Sequence, residues 1–276
     1  MRGGTTANRM EYVTWGDGRR TLLFLQGSPT SSVPSGMWAS MRQRYFRPYV
    51  EAGYAVWMVT RPRGMPRGHS VADLAEDHAG FIGEYLGGRV DLLLGESFGG
   101  MVAQYLAGLH PSSVEHLGMV ASGFEVSDWT KDVDRRLAAA VERRDRTSAG
   151  AAFAEYLLPS PRLERLRRLG GPLMAKPLLA SPHYPPEDVV VEMEAEVACD
   201  TRPVLPRIEA PTVLVAGGRD QIFTGEIVEE TAALIKGCRL VWLSGKGHVA
   251  TCTSAKVGGE VLGFVEARGA HGRSTA

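Results

Sequence analysis

The apolar run Val90-Asp91-Leu92-Leu93-Leu94 ends directly on Gly95-Glu96-Ser97-Phe98-Gly99-Gly100, and beyond it Met101, Val102, Tyr105, Leu106 and Leu109 recur at helical spacing up to Pro111. No other stretch restricts the fold so tightly. A short continuous apolar run suits a parallel strand buried on both faces, and the helical period that follows needs its own apolar stripe against the same core. Strand and helix can then meet only through a sharp turn. Small residues on either side of Ser97 let the two elements approach, and a serine at the apex, held in strained backbone, presents its hydroxyl to a neighbouring base. Gly-x-Ser-x-Gly is a weak signal by itself, and an ordinary glycine-rich strand-helix turn is the alternative. Set between strand and helix, it reads as a nucleophile elbow.

The same alternation recurs along the chain. Glu11–Trp15 and Thr21–Leu25, separated by Gly16-Asp17-Gly18, predict a hairpin leading into the first central strand. A helix over Met41–Glu51 and a strand over Tyr54–Val59 follow, then a loop, Arg61–Gly68, broken by prolines and glycines. Ser70 and Asp73 have the spacing of a capping box, opening a helix with Leu74, Ile82 and Leu86 on its apolar side. Val114–Ala121 predicts another strand. Such alternation implies an α/β fold, with a mostly parallel sheet covered by helices on both faces. From Glu125 to Pro203 the rhythm stops. Only helical segments are predicted there, over Asp132–Arg144, Ala151–Leu158, Arg162–Leu169 and Glu187–Cys199. It resumes with a strand at Thr212–Ala216, a helix at Gly225–Ile235, a strand at Arg239–Leu243 and a closing helix at Thr253–Ala267. The expected organisation is a core over 1–124 and 206–276, interrupted by a helical cap over 125–205.

A chain of 276 residues has room for one large α/β domain carrying such an insertion. Its 31 basic and 31 acidic residues give no overall field favouring nucleic acid or an anionic membrane, so neither is an expected partner. The cysteines, Cys199, Cys238 and Cys252, are odd in number and far apart, which excludes a complete disulfide framework and a four-thiolate metal site. The histidines lack metal-ligand spacing, and no metal or cofactor is expected. No apolar run approaches the ~18 residues of a membrane span, and the first ten residues are too polar for a secretory signal, so a cytoplasmic location is expected.

A serine hydroxyl needs a base, and the base needs a group to fix its tautomer. In open α/β sheets functional residues gather at the carboxyl ends of strands. Asp220 follows the strand ending at Ala216, and His248 follows the strand ending at Leu243. Asp128, after the preceding strand, is the alternative carboxylate.

Serine, acid, histidine in that order, with the elbow, resembles the α/β-hydrolase superfamily over essentially the whole length, with a helical cap inserted after the sixth strand. The resemblance implies Ser97 as nucleophile, His248 as general base and then acid, and Asp220 as orienting carboxylate. Gln26-Gly27-Ser28-Pro29-Thr30-Ser31-Ser32 is similar to the His-Gly-x-Pro-Thr-Ser-Ser loop of the haloalkane dehalogenase and epoxide hydrolase branch. Those enzymes use an aspartate nucleophile, so Ser97 points to acyl chemistry instead. Gln26 replaces the usual histidine, a change expected to alter loop anchoring more than the triad. The backbone N–H groups of Ser28 and Phe98 are the expected oxyanion donors.

The expected activity is hydrolysis of a small-molecule carboxylic ester, thioester or lactone through an acyl-enzyme. The same triad would also serve an acyltransferase, a lactone-forming cyclase or a lyase, and the fold could be a ligand receptor. Arg162–Leu169 predicts a basic amphipathic helix, read as a solvated outer face or as a docking site for an anionic substrate or a carrier-bound acyl group. Trp129, Phe153, Tyr156 and Met174 either line an acyl pocket or pack the cap. Cys252 reads as an apolar filler near His248.

Overall fold

The computed structural model describes residues 2–181 and 184–273. Among these residues one sheet forms, of β1 (Arg2–Thr5), β2 (Glu11–Trp15), β3 (Arg20–Leu25), β4 (Tyr54–Val59), β5 (Leu92–Glu96), β6 (Leu117–Val120), β7 (Thr212–Gly217) and β8 (Arg239–Leu243). The spatial order is β1-β2-β4-β3-β5-β6-β7-β8, parallel from β4 to β8, with β1 and β2 joined antiparallel at one edge.

Because successive strand residues point to opposite faces, each central strand supplies two cores. Leu22 and Phe24 of β3 and Leu92 and Leu94 of β5 pack under α1 (Gly36–Glu51), where Phe46 and Tyr49 meet them. Leu23, Leu25 and Leu93 face the other way, towards α2 (Val71–Tyr85) and α3 (Phe98–Leu109). α2 begins with the expected capping box: Ser70 Oγ accepts from Asp73 N–H, and the Asp73 carboxylate accepts from Ser70 N–H.

The expected hairpin does not form. β2 and β3 are separated by β4, which pairs antiparallel with β2 and parallel with β3. Strand spacing and a glycine turn are local signals, whereas the choice of neighbour follows burial. β3 has residues from Leu22 to Phe24 completely enclosed and both its edges paired in parallel, while β2 is half-buried and suited to the flank.

Between β6 and β7 lie α4 (Asp128–Glu142), α5 (Arg146–Glu155), α6 (Glu164–Met174), α7 (Lys176–Leu179) and α8 (Pro186–Ala198). Leu137, Ala149, Leu178, Tyr184, Val189 and Met193 give these helices a small core of their own. α6 is unusual: it turns Arg167 and Gly171 inward and leaves Leu166, Leu169 and Leu173 exposed, beside the exposed Arg165 and Arg168. The buried Arg167 guanidinium donates to Leu158 O and Ser160 O and pairs with Glu155, which satisfies it without an apolar contact face.

After β7 come α9 (Gly225–Leu234), then β8, α10 (His248–Cys252) and α11 (Lys256–Arg273). His248 therefore heads a short helix, separate from the closing one, rather than lying in a loop. Among the described residues, no helix is long and apolar enough to cross a membrane.

The turn from β5 to α3 is close-packed. A Cβ added to Gly99 would stand 2.2 Å from Leu25 O, far inside contact distance and against rigid backbone. Gly99→Ala is expected to cost about 3 kcal/mol or more through overpacking, read as a fall in the urea midpoint with little change in m-value.

Candidate active site

Ser97 sits between β5 and α3 at φ 56° and ψ −126°, a conformation a non-glycine residue keeps only when packing enforces it. Its N–H is tied to Val120 O at 2.9 Å, and its carbonyl accepts from Gly100 N–H at 2.8 Å. The side chain is nearly buried, with Oγ 2.9 Å from His248 Nε2. His248 Nδ1 lies 2.8 Å from Asp220 Oδ2. The second Asp220 oxygen accepts from Ile222 N–H at 2.9 Å and Phe223 N–H at 3.2 Å. This network assigns the proton to Nδ1, donated to the carboxylate, and leaves Nε2 as acceptor for the serine hydroxyl. The Phe223 ring stacks on the imidazole at a centroid distance of 5.9 Å and holds its plane.

The structure thus brings Ser97, Asp220 and His248 together from the carboxyl ends of three strands. Asp128 is elsewhere, fully exposed at the start of α4 and paired loosely with Lys131 at 3.9 Å. Cys252 is close, its Sγ 4.0 Å from His248 Nε2, but burial, with Glu96 nearby, pushes its thiol well above the ordinary range. It stays a protonated thiol. A cavity of about 390 Å³ lined by Trp38, Met41, Tyr45, Glu96 and Cys252 lies between α1 and the start of α11. Neither Ser97 nor His248 lines it, so it is not the chamber in which the serine would react.

The loop after β3 lies against the serine: a Cβ added to Gly27 would be 3.0 Å from Ser97 Cβ. Phe98 opens α3, so its N–H has no acceptor within the helix. Gly27 and Phe98 therefore flank Ser97, with Ser28 the next residue along the loop. Gln26 anchors the loop from within, Nε2 donating to Thr30 O at 3.1 Å. Arg61, at the carboxyl end of β4, holds it from outside, donating through Nη1 to Gln26 O at 2.8 Å and through Nη2 to Gly27 O at 3.1 Å. The Arg61 guanidinium also lies 5.2 Å from the Phe98 ring centroid, and its Nε donates to Glu192 of α8.

Sequence reasoning missed Arg61 and the acids that meet it. Asp188, Glu192 and Glu196 recur at i, i+4 and i+8 on α8, and all three are buried. Asp188 accepts from Gly64 N–H and Met65 N–H at 2.9 and 2.8 Å, Glu192 accepts from Arg61 and Tyr184, and Glu196 accepts from Ser28 Oγ at 2.7 Å. One face of α8 therefore grips the loops after β3 and β4. The available signal was the four-residue spacing, which puts these acids on one stripe.

Burial raises the Glu192 carboxyl, with Arg61 partly offsetting it. Glu196 is raised well above the carboxylate range, by burial first and then by Asp134. Asp134 of α4 is itself raised to about 7 by burial, partly offset by the hydrogen bond from Tyr156 OH. Trp129 and Phe153 contact the Tyr156 ring, while Met174 ends α6. Among the described residues, no cluster of His, Cys, Asp and Glu could hold a metal ion.

The folded chain resists ionising Asp134, so the protein loses stability as pH rises from 3.8 through about 7. Asp134→Asn is expected to flatten this loss: the variant's Tm should gain on that of the native chain across this window, as followed by circular dichroism.

The model of the family described as "Alpha/beta hydrolase family" matches residues 22–253. A pimeloyl-[acyl-carrier protein] methyl ester esterase of Neisseria meningitidis is 31% identical over 162 residues, 56% of this chain and 61% of that protein. The chain thus matches about three fifths of the length of that relative. Among solved structures, a hydrolase from Pseudomonas aeruginosa superposes with a TM-score of 0.72 at 25% identity, covering 96% of this chain and 97% of the other. An enol-lactonase from Burkholderia xenovorans shares the fold with a TM-score of 0.72 at 19% identity, covering 96% and 100%.

Proposed function

Because the chain belongs to the α/β hydrolase family, we propose that it is a serine hydrolase cleaving a carboxylic ester, thioester or lactone of a small molecule through an acyl-enzyme on Ser97. The observation that carries this reading is the unbroken hydrogen-bond chain from Ser97 Oγ through His248 to Asp220, at 2.9 and 2.8 Å. His248 Nε2 removes the hydroxyl proton as Oγ attacks the carbonyl carbon, then delivers it to the departing alcohol or thiol. Water then attacks the acyl carbon as Nε2 takes its proton, and the acyl–Oγ bond breaks as that proton passes to Ser97 Oγ, which releases the acid and restores the serine. Asp220 stays ionised throughout and compensates the imidazolium. The N–H groups of Ser28 and Phe98 receive the oxyanion, a preorganised arrangement that needs no solvent to reorient. Residues 125–205 act as a cap, whose Glu196 accepts from Ser28 of the loop beside Ser97.

A fluorophosphonate should give one adduct per chain on Ser97, absent in Ser97→Ala, as measured by intact mass and peptide mapping. Asp220→Asn should lower kcat by about 10³–10⁴ by disturbing the imidazole tautomer. An unlabelled, folded native chain would count against the reading.

A second, narrower reading is that the acyl group arrives on a carrier. It is supported by the esterase relative, which is named for an acyl-carrier protein ester, and by α6, whose exposed Leu166, Leu169 and Leu173 stand beside exposed Arg165 and Arg168. Such a face suits an acidic amphipathic partner. Reversing Arg165 and Arg168 to glutamate should reduce kcat/KM on a carrier-bound acyl ester by about tenfold or more, while hydrolysis of a short p-nitrophenyl ester stays unchanged. Equal effects on both substrates would dismiss carrier docking.

A further inference from the structure

We propose that Glu196 is a positioning residue for the reaction at Ser97, holding, through the Ser28 hydroxyl, the loop that presents the Ser28 N–H to the oxyanion. This rests on the acyl-enzyme reading above. Glu196 lies in α8, 168 positions from Ser28 in sequence, and its side chain is 2% exposed. The 2.7 Å hydrogen bond from Ser28 Oγ crosses between cap and core. One turn earlier on α8, Glu192 binds Arg61, and Arg61 binds the carbonyls of Gln26 and Gly27. Two successive turns of one helix therefore secure three consecutive residues, Gln26, Gly27 and Ser28. Ser28 is the one that carries the proposed donor.

A carboxyl group is a costly choice for this contact if packing were its only task, since burial of an acid with one partner is unfavourable against an apolar residue of similar size. Its charge state gives it a second role. Glu196 faces Asp134 from α4, Glu192 from its own helix and His248 from α10, with Tyr156 OH hydrogen-bonded to Asp134 and Arg61 paired to Glu192. Burial and the neighbouring acids favour its neutral form, with the Ser28 hydrogen bond and then His248 partly opposing them. In that form it accepts from Ser28 without placing a negative charge beside the developing oxyanion. Ionised, it would keep the hydrogen bond but set a negative charge beside the developing oxyanion and oppose the transition state.

The test uses the full chain with Glu196→Ala, Glu196→Gln, Ser28→Ala and the double variant of the two alanines. The readouts are kcat and KM on a p-nitrophenyl ester, the rate of fluorophosphonate labelling at Ser97, and the pH profile. Glu196→Ala should lower kcat and labelling by about tenfold to a hundredfold, a fraction of what losing an oxyanion donor costs, with KM altered less than about threefold. Ser28→Ala should do the same, and the double variant should be little worse than either, because both remove one interaction. Glu196→Gln, which keeps an acceptor for Ser28 Oγ, should recover most of kcat and of the labelling rate at neutral pH, with the acid limb unchanged. Native kcat in both alanine variants, additive losses, or a Glu196→Gln variant as impaired as Glu196→Ala would each overturn the proposal. Should Glu196→Ala fail to fold, Ser28→Ala and Glu196→Gln decide, since both leave the α8 packing in place. Failure of the native chain to label at Ser97 or to turn over the ester would instead overturn the acyl-enzyme reading and this proposal with it. Normal labelling of the native chain, matched by the variants, removes the positioning role alone.

Discussion

One buried cation, Arg61, organises the region around Ser97. It is 3% exposed, and such a group is tolerated only when its charge is paired and its N–H groups are satisfied. Glu192 supplies the charge, and Gln26 O and Gly27 O supply the acceptors. The consequence reaches beyond electrostatics. Because the acceptors are the carbonyls of a single loop, satisfying the guanidinium fixes that loop's backbone, and because the counter-charge comes from α8, it also fixes where α8 meets that loop.

The sheet provides the rigid side of the same arrangement. Leu92–Leu94 are wholly enclosed, so β5 cannot shift, and Ser97 inherits its position from β5 and its backbone geometry from the packing of α3 against β3. His248 and Asp220 follow β8 and β7, which continue the same parallel ladder. Three side chains far apart in sequence thus meet because parallel strands end on the same side. Helix α8 supplies what the sheet cannot, a line of acids at i, i+4 and i+8 that closes on the loops after β3 and β4. Burial first, and then Asp134, raises the Glu196 carboxyl well above the usual range, which lets this acid lie close to a centre where negative charge is expected to develop.

Local patterns were legible where one residue's environment depends on its near neighbours in sequence. The elbow, the capping box at Ser70 and Asp73, and the helical character of the stretch between β6 and β7 all belong to this kind. Ser97, Asp220 and His248 could be named because each follows an apolar run, and strand ends are where such sheets collect polar side chains. The hairpin expected between β2 and β3 failed for the opposite reason: a glycine turn between two strand patterns says nothing about a third strand, β4, arriving from later in the chain.

What the sequence by itself determined is the alternation that makes a doubly covered parallel sheet, and the serine, acid and histidine at its strand ends. Both follow from periodicity and chain order, which are properties of adjacent residues. Only the tertiary structure decided that Arg61 clamps the loop beside Ser97, that α6 leaves its leucines uncovered, and that Glu196 meets Ser28 across 168 positions. Those outcomes depend on which surfaces are buried against each other, and burial is what turns an arginine or a glutamate from a solvated side chain into a group that must find one particular partner.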